Sequence, residues 1–159
     1  MSVDAETLRR VMRLWATGVT VVTAQSDGQR HGMTVSSFTS VALEPPLVLI
    51  SLERVTRTHG MVERSGRFGV TILAQDQQEV SDRFGGRIAD LDDRFEGLET
   101  ETLQSGVPFV RGGLAFFDCE VVASYPAGTH TLFIGEVMAV RSRKTGNPLL
   151  YFNRDYRRI

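Results

Sequence analysis

A hydroxyl-rich segment at residues 36–40 (SSFTS) lies between two stretches that are typical of β-strands. The first stretch begins at Gly32, and the second is the nearly continuous apolar run of residues 47–52. Because proline restricts φ and has no N–H to donate, Pro45-Pro46 cannot lie inside a sheet. We therefore predict two separate strands with the hydroxyl-rich segment held at their ends. Hydroxyls and free backbone N–H groups beside a buried strand favour a flat, polar, phosphorylated ligand.

Other chemistries find less support in the sequence. It contains no G-x-G-x-x-G or G-x-x-x-x-G-K-[ST] phosphate motif and no G-x-S-x-G nucleophile elbow. A hydrolase would need a nucleophile with a base, and no spacing supports pairing Ser36 or Ser37 with His130. The chain has three histidines, His31, His59 and His130, which lie far apart without metal-ligand spacing. We therefore expect no metal site.

Composition indicates an ordinary globular protein. With 159 residues, 42% hydrophobic and 23% charged, the chain is predicted to form one domain over residues 1–159. A net charge of −1 gives no reason to expect nucleic acid or an anionic membrane as a partner. We find no signal peptide or spanning segment, and the single Cys119 fits a reducing cytoplasm. Cys119 falls on the apolar side of a predicted strand, which favours a core thiol over a redox one.

Three helices are predicted, at residues 4–17, 57–64 and 75–84. Asp4 is the expected cap of the first helix, and Asp76 with Glu79 resembles a capping box at the start of the third. The apolar face of the first helix consists of Leu8, Val11, Met12 and Trp15.

Strands are predicted at residues 19–24, from Arg30 after a turn at 26–28, and at 67–73, 114–125, 131–141 and 149–152. The acidic region 88–113 is predicted to be a solvated loop, with Asp90, Asp92, Asp93, Glu96, Glu99 and Glu101. Many strands with turns between them and a few short helices indicate a β-barrel with helical decoration.

The chain as a whole resembles the short-chain flavin reductases, the reductase components of two-component flavin-dependent monooxygenases. The order and spacing of several short motifs carry this resemblance. They are residues 15–23 (WATGVTVVT), 32–41 (GMTVSSFTSV), 45–48 (PPLV), 57–58 (RT), 68–70 (FGV), 93–95 (DRF), 128–137 (GTHTLFIGEV) and 148–151 (PLLY). The resemblance implies a mainly β protein with short helices, an FMN-binding split barrel that forms a homodimer. It also implies hydride transfer from NADH or NADPH to FMN or FAD, and delivery of the reduced flavin to a separate monooxygenase.

The resemblance also implies a set of flavin-binding residues. They are Thr34, Val35, Ser36, Ser37, Phe38, Thr39 and Ser40, with Ser51, Arg57 and Thr58 at the phosphate, and Phe84 and Gly85 beside the ribityl-phosphate. The residue types suit this role, because the flavin ring needs hydrogen-bond partners in one plane and the phosphate needs cations and N–H donors. The hydroxyls could instead satisfy a strand end, and Phe38 is as well suited to the core as to the flavin edge.

For the nicotinamide, the resemblance implies Gly128, His130 and Tyr156, with His130 orienting the ring. The family often has Gly-Asp-His here, whereas this chain has Gly-Thr-His, so no acid is available to tune the histidine. Tyr156 stands where the family has a C-terminal aromatic residue, and it could equally belong to a disordered end. The sequence leaves open FMN or FAD, NADH or NADPH, a tightly held flavin in an oxidase or reductase, and a non-catalytic flavin-binding module.

Overall fold

Strands make up most of the regular structure in the computed structural model, which describes residues 1–88 and 92–159. The strands are β1 (Thr17–Gly18), β2 (Thr20–Ser26), β3 (Gln29–Val35), β4 (Phe38–Ala42), β5 (Leu47–Glu53), β6 (Arg67–Ile72), β7 (Thr100–Glu101), β8 (Phe109–Val110), β9 (Ala115–Ala127), β10 (His130–Ser142), β11 (Leu150–Phe152) and β12 (Asp155–Arg157). The helices in the described part are α1 (Ala5–Met12), α2 (Arg57–Ser65) and α3 (Gln78–Phe84).

A seven-stranded sheet with the order β3-β2-β6-β9-β10-β5-β4 forms the centre of the fold, and its neighbouring strands are antiparallel. The two outer strands, β3 and β4, are joined by only two residues, so the sheet must curl to bring its edges together. The core inside this curl includes Val22, Ile50, Leu52, Phe68 and Val70, all fully buried. The predicted mainly β, barrel-like architecture is confirmed.

The hairpin from β2 to β3 is also confirmed. Asp27 and Gly28 have φ angles of 54° and 72°, which is the conformation of a two-residue hairpin turn whose twist matches the strands. The predicted second helix is confirmed as α2, and the period-two pattern of residues 114–125 is confirmed as β9. Cys119 in β9 is buried among core residues, and burial raises the pKa of its thiol to about 12.

The hydroxyl-rich segment is only partly as predicted. Ser36 and Ser37 lie at a strand end, but Phe38, Thr39 and Ser40 belong to β4 and pair with Ile50, Leu49 and Val48. The prediction that the whole segment lies at strand ends was therefore wrong. The open edge of β5 offers hydrogen-bond partners to this backbone, which outweighs the low strand propensity of serine.

Helix α1 is capped as predicted, because the Asp4 carboxylate accepts a hydrogen bond of 2.7 Å from the Thr7 N–H. It ends at Met12 rather than at residue 17, since Thr17 pairs with Tyr151 as part of β1. No residue of α1 is buried, so its apolar face is exposed.

The start of α3 differs from the prediction. Helix α3 begins at Gln78, not at residue 75, and the expected capping box is absent. The cap residue Gln77 makes no side-chain bond to the helix; its Oε1 accepts from the Ala74 N–H at 2.9 Å instead. Gln77 Nε2 also donates to the Arg111 carbonyl, so tertiary partners occupy the side chain.

The acidic region is more structured than the predicted solvated loop, because it contains the paired strands β7 and β8. Glu99 and Glu101 form ion pairs with Arg111, and Glu101 also pairs with Arg141. Asp93 forms an ion pair with Arg30 at 3.0 Å. Asp90 lies outside the described residues. None of the helices in the described residues combines the length and hydropathy needed to cross a bilayer.

Candidate functional site

A cleft beside β3 has a volume of about 370 Å³, within the range of small-molecule sites, and we call it the α2 cleft. It lies between β3, the start of α2 and the end of α3. The residues lining the α2 cleft are His31, Met33, Thr34, Thr56, Arg57, Thr58, Phe84, Gly85 and Arg94. Five of the residues predicted for the flavin therefore meet here: Thr34, Arg57, Thr58, Phe84 and Gly85.

The N-terminus of α2 forms one wall of the cleft. The first N–H groups of a helix have no intrahelical acceptor, and they lie at the positive end of the helix dipole. Thr56 Oγ1 accepts a hydrogen bond from the His59 N–H at 3.3 Å, which leaves the N–H groups of Arg57 and Thr58 without an acceptor within the helix. The Arg57 side chain is exposed, and its Nη2 donates to Gln29 Oε1 at 2.9 Å. This end of the helix is suited to an anion.

Arg94 supplies a second cation from the opposite side of the cleft. Its Nη1 donates to the carbonyls of Gly32 and Phe84, both at 2.9 Å, which ties β3 to the end of α3. Burial lowers the pKa of the guanidinium, but an arginine remains charged at neutral pH. Arg94 was not among the predicted site residues. The signal that could have found it was its place in the DRF motif at residues 93–95.

His31 was also missed. Its Nδ1 lies 2.8 Å from Thr58 Oγ1, so the imidazole links β3 to α2 inside the cleft. Burial, followed by the charges of Arg94 and Arg57, lowers the pKa of His31 to about 4. The ring is therefore neutral at pH 7. Its position on β3, one residue before Gly32, gave no sequence signal for a role in the site.

Phe84 faces the core with its side chain. The ring is fully buried and contacts Phe95 edge to face, with 5.0 Å between ring centroids. A Cβ at Gly32 would lie 2.9 Å from Phe84 Cε1, so the absence of a side chain at Gly32 allows this close packing. Phe84 thus supports the wall of the cleft, and the adjoining Gly85 brings backbone to its surface.

A second, smaller cleft of about 210 Å³ adjoins the first and shares Thr34 and Gly85 with it; we call it the C-terminal cleft. Tyr156 lies here, in β12 and paired with Tyr151, which corrects the alternative of a disordered end. Its hydroxyl lies 2.7 Å from Ser81 Oγ and donates to Asp82 at 2.8 Å. Burial raises the pKa of the Tyr156 hydroxyl. Tertiary hydrogen bonds thus fix a side chain whose place the sequence left open.

Of the other residues predicted for the flavin, those that line neither cleft are Val35, Ser37, Phe38, Thr39, Ser40 and Ser51. Ser36 is exposed and lines the C-terminal cleft, whereas the Val35 side chain is buried. Ser37 Oγ donates to the Ser51 carbonyl at 2.9 Å, and the Ser51 N–H donates back to the Ser37 carbonyl at 3.3 Å. Phe38 is half-buried against Phe117, with ring centroids 5.4 Å apart. Thr39 and Ser40 are exposed on the edge strand.

The nicotinamide residues are divided between two places. Tyr156 lines the C-terminal cleft, whereas His130 begins β10 opposite Glu53 and lines neither cleft. Gly128 forms the β9–β10 turn with a φ of 58°, and Thr129 Oγ1 lies 2.9 Å from His130 Nδ1. Arg54, which sequence reasoning missed, holds this turn through the carbonyls of Gly128 and His130, the latter at 2.9 Å.

The charge in the two clefts has one sign. Among the described residues, the charged ones that line the clefts at neutral pH are Arg57, Arg94 and Arg87, and none is a carboxylate. Asp82, beside the C-terminal cleft, is engaged by Arg87 and Tyr156. In a chain with a net charge of −1, this local excess of cations favours an anionic ligand. A phosphorylated flavin fits this set of cations, helix N–H groups and open backbone.

Comparison with known proteins gives a consistent result. Residues 12–159 match the family model described as flavin reductase like domain. The chain is 38% identical over 159 residues to the NADH-dependent flavin reductase StyB of Pseudomonas fluorescens, covering 98% of this chain and 91% of StyB. It is 37% identical over 160 residues to HsaB of Mycobacterium tuberculosis, a flavin-dependent monooxygenase reductase subunit, covering 97% and 82% respectively. Among solved structures, the chain is similar to NADH:FAD oxidoreductase SgcE6 of Streptomyces globisporus, in complex with NAD and FAD fragments. The two superpose with a TM-score of 0.90 at 32% identity, and the match covers 100% of this chain and 96% of SgcE6.

Proposed function

This chain belongs to the flavin reductase like family, and we propose on that basis that it transfers a hydride from NADH or NADPH to FMN or FAD. The observation that carries the proposal is the α2 cleft, where Arg57, Arg94 and the N-terminus of α2 converge and where no carboxylate of the described residues forms the lining. The names of StyB and SgcE6 give nicotinamide and flavin as the substrates of relatives, which supports the same chemistry here.

The phosphate is assigned to the α2 cleft. The guanidinium groups of Arg57 and Arg94 supply charge-assisted hydrogen bonds, and the N–H groups of Arg57 and Thr58 supply the fixed donors of a helix N-terminus. Phe84 and Gly85 form the wall beside the ribityl chain. We assign the isoalloxazine ring to the end of β3 and the start of β4, where backbone groups of residues 34–40 that β2 and β5 leave unpaired can meet its polar edge. Ser51, which was predicted for the phosphate, does not line the α2 cleft and bonds to Ser37 instead.

Bound flavin supplies the hydride acceptor of the reaction, and the protein supplies binding, orientation and exclusion of water. Hydride transfer leaves no proton for a strong acid or base to handle, so the proposed reaction does not require a catalytic dyad. We assign His130, with Gly128, to the orientation of the nicotinamide. We assign Tyr156, whose hydroxyl is held by Ser81 and Asp82, to the outer face of the nicotinamide ring.

The direct test is anaerobic mixing of the protein with flavin and reduced nicotinamide. We expect loss of the flavin absorbance at about 450 nm, well above the rate of the free cofactors, because the protein holds the two rings together. Varying FMN against FAD and NADH against NADPH in the same assay fixes the preferred pair. A rate equal to the free-cofactor background would reject the proposed function.

Two other functions make different predictions. A split-barrel oxidase or reductase with a prosthetic flavin would stay yellow through extended dialysis. A flavin-binding module would bind flavin but show no nicotinamide-dependent turnover. The open α2 cleft and the exposed Arg57 favour a flavin that exchanges. We therefore propose release of reduced flavin to a separate monooxygenase, the arrangement that the name of HsaB describes for that relative.

We further propose that residues 1–159 form one flavin reductase-like domain that acts in the cytoplasm as a homodimer. The seven-stranded sheet takes strands from along most of the chain, and the single cysteine is a buried free thiol, as suits a reducing compartment. Exposed apolar side chains support the dimer, namely Leu8, Val11 and Trp15 near α1 and Val122, Tyr125, Met138 and Val140 on β9 and β10.

For the dimer, we expect sedimentation equilibrium to give twice the chain mass of 17.7 kDa at micromolar concentration. Replacing Val140 by glutamate should shift the equilibrium toward the monomer, because burying an unpaired charge is costly. Arg143→Glu, at an exposed polar position beyond the end of β10, is the matched control. A particle of 17.7 kDa at every concentration would rule out the dimer.

A further inference from the structure

His31 lies in the α2 cleft but has no part in hydride transfer as proposed above. Its Nδ1 has a partner, Thr58 Oγ1 at 2.8 Å. Its Nε2 makes no hydrogen bond within residues 1–88 and 92–159, and the side chain lines the cleft. A ligand in the cleft can therefore reach Nε2, while the other nitrogen fixes the orientation of the ring.

The groups around His31 oppose its protonation in the free protein. Arg57 comes from α2, and Arg94 comes from the loop that follows α3. Asp93 acts in the opposite sense, but its carboxylate forms an ion pair with Arg30 at 3.0 Å. The two cations and burial together outweigh Asp93, so the imidazole of the free protein is neutral at pH 7.

We propose that His31 takes up one proton from solvent when the phosphate of a flavin enters the α2 cleft, and that it thereby selects phosphorylated flavins over riboflavin. The inference rests on the proposed function, since it assigns the flavin phosphate to this cleft. A phosphate at the N-terminus of α2 cancels the field of Arg57 and Arg94, which removes the main electrostatic opposition to an imidazolium.

The hydrogen bonds then rearrange in a defined way. The imidazolium donates its Nε2–H to the phosphate and its Nδ1–H to Thr58 Oγ1. The Thr58 hydroxyl oxygen accepts this bond in the complex, whichever of the two atoms donates when the ring is neutral. Both bonds are charge-assisted, and they add to the N–H donors at the N-terminus of α2. Riboflavin has no phosphate, so it gains none of them.

Linkage fixes the sign of the pH dependence. A site that binds a proton together with its ligand binds the ligand more tightly as the pH falls through the pKa of the complex. Because the phosphate raises the pKa of His31 above its value of about 4 in the free protein, FAD should bind more tightly at about pH 5.5 than at about pH 7.5, with a limit of about 10-fold for a histidine of ordinary pKa. FAD is the better probe than FMN, because the phosphomonoester of FMN itself titrates near pH 6.

Isothermal titration calorimetry of FAD at about pH 6, in MES and in Bis-Tris, counts the protons taken up with the ligand. We expect clear proton uptake, with a limit of about 0.7 proton per FAD, for the unaltered protein, and close to none for riboflavin or for His31→Gln with FAD. His59→Gln is the matched control and should keep the uptake, because His59 bonds to Thr131 Oγ1 and does not line this cleft. Binding of FAD without proton uptake, or with equal uptake in His31→Gln, would overturn the proposal.

The unaltered protein offers a second measurement that does not depend on a variant. The chain has three histidines, so the imidazole ¹⁵N signals are few enough to assign. At about pH 6 the His31 ring should show the neutral pattern alone and the imidazolium pattern with FAD. A ring that stays neutral in the complex would also overturn the proposal. Failure of FAD to bind at all is a separate result that rejects the proposed function.

Discussion

Replacing Arg94 by alanine should weaken FMN binding by about 10- to 100-fold, the loss expected for a charge-assisted hydrogen bond worth about 1.5–3 kcal/mol. Arg94 lines the α2 cleft and fixes it, since it donates to the carbonyls of both Gly32 and Phe84. Flavin fluorescence titration with FMN and with riboflavin measures the effect. Riboflavin should be affected much less, because it has no phosphate for the guanidinium to bind.

Arg94→Ala removes a positive charge and also the hydrogen bonds that hold the cleft wall, so further variants must separate these two effects. Arg94→Lys keeps a cation but cannot reproduce the same fork of donors, so it should recover part of the FMN affinity. Arg57→Ala removes the other cation from an exposed position where little structure depends on it, and it should also weaken FMN binding. Arg111→Ala, at an exposed arginine far from the cleft, serves as the control. Unchanged FMN affinity in both Arg94→Ala and Arg57→Ala would move the phosphate to another place.

Replacing His130 by alanine should raise the KM for the nicotinamide and slow flavin reduction by up to about 100-fold, while flavin affinity stays nearly unchanged. The reason is positional: the ring orients the nicotinamide and excludes water but handles no proton. Steady-state kinetics with varied NADH and a flavin titration on the same variant separate the two effects.

The position of His130 makes this a demanding test, because it lines neither described cleft and begins β10 at the turn held by Arg54. Thr129→Val is the matched variant, since it removes the hydroxyl 2.9 Å from Nδ1 but keeps the ring. We expect a smaller change in the same direction. Weakened flavin binding with unaltered nicotinamide kinetics would place His130 on the flavin instead.

Much of the fold was readable from short-range patterns. The turn at Asp27-Gly28 and the period-two strand β9 each depend on residues a few positions apart. Asp4 capped α1 because its side chain reaches an N–H only three residues away. The ordered motifs identified the family for the same reason, since they are local in sequence and their order is preserved.

Patterns of this kind failed where distant partners compete for the backbone or side chain. Phe38 and its neighbours form a strand because the edge of β5 is available to pair with them. The Gln77 side chain bonds to the backbone of Ala74 and Arg111 instead of to its own helix. Tyr156 lies in place because Ser81 and Asp82 hold its hydroxyl from more than 70 positions away. Hydrogen-bond partners at such separations leave no trace in local periodicity.

Local patterns and ordered motifs in the sequence were enough to predict the mainly β architecture, the family and most of the residues proposed for the flavin. They could not predict that Arg94 and His31, 63 positions apart, share one cleft with the start of α2. The physical reason is that strand pairing and helix docking set which distant charges meet, and the pKa of His31 follows from that meeting. The sequence showed that these arginines and this histidine are present, but it did not show that the charges of the arginines act on the histidine.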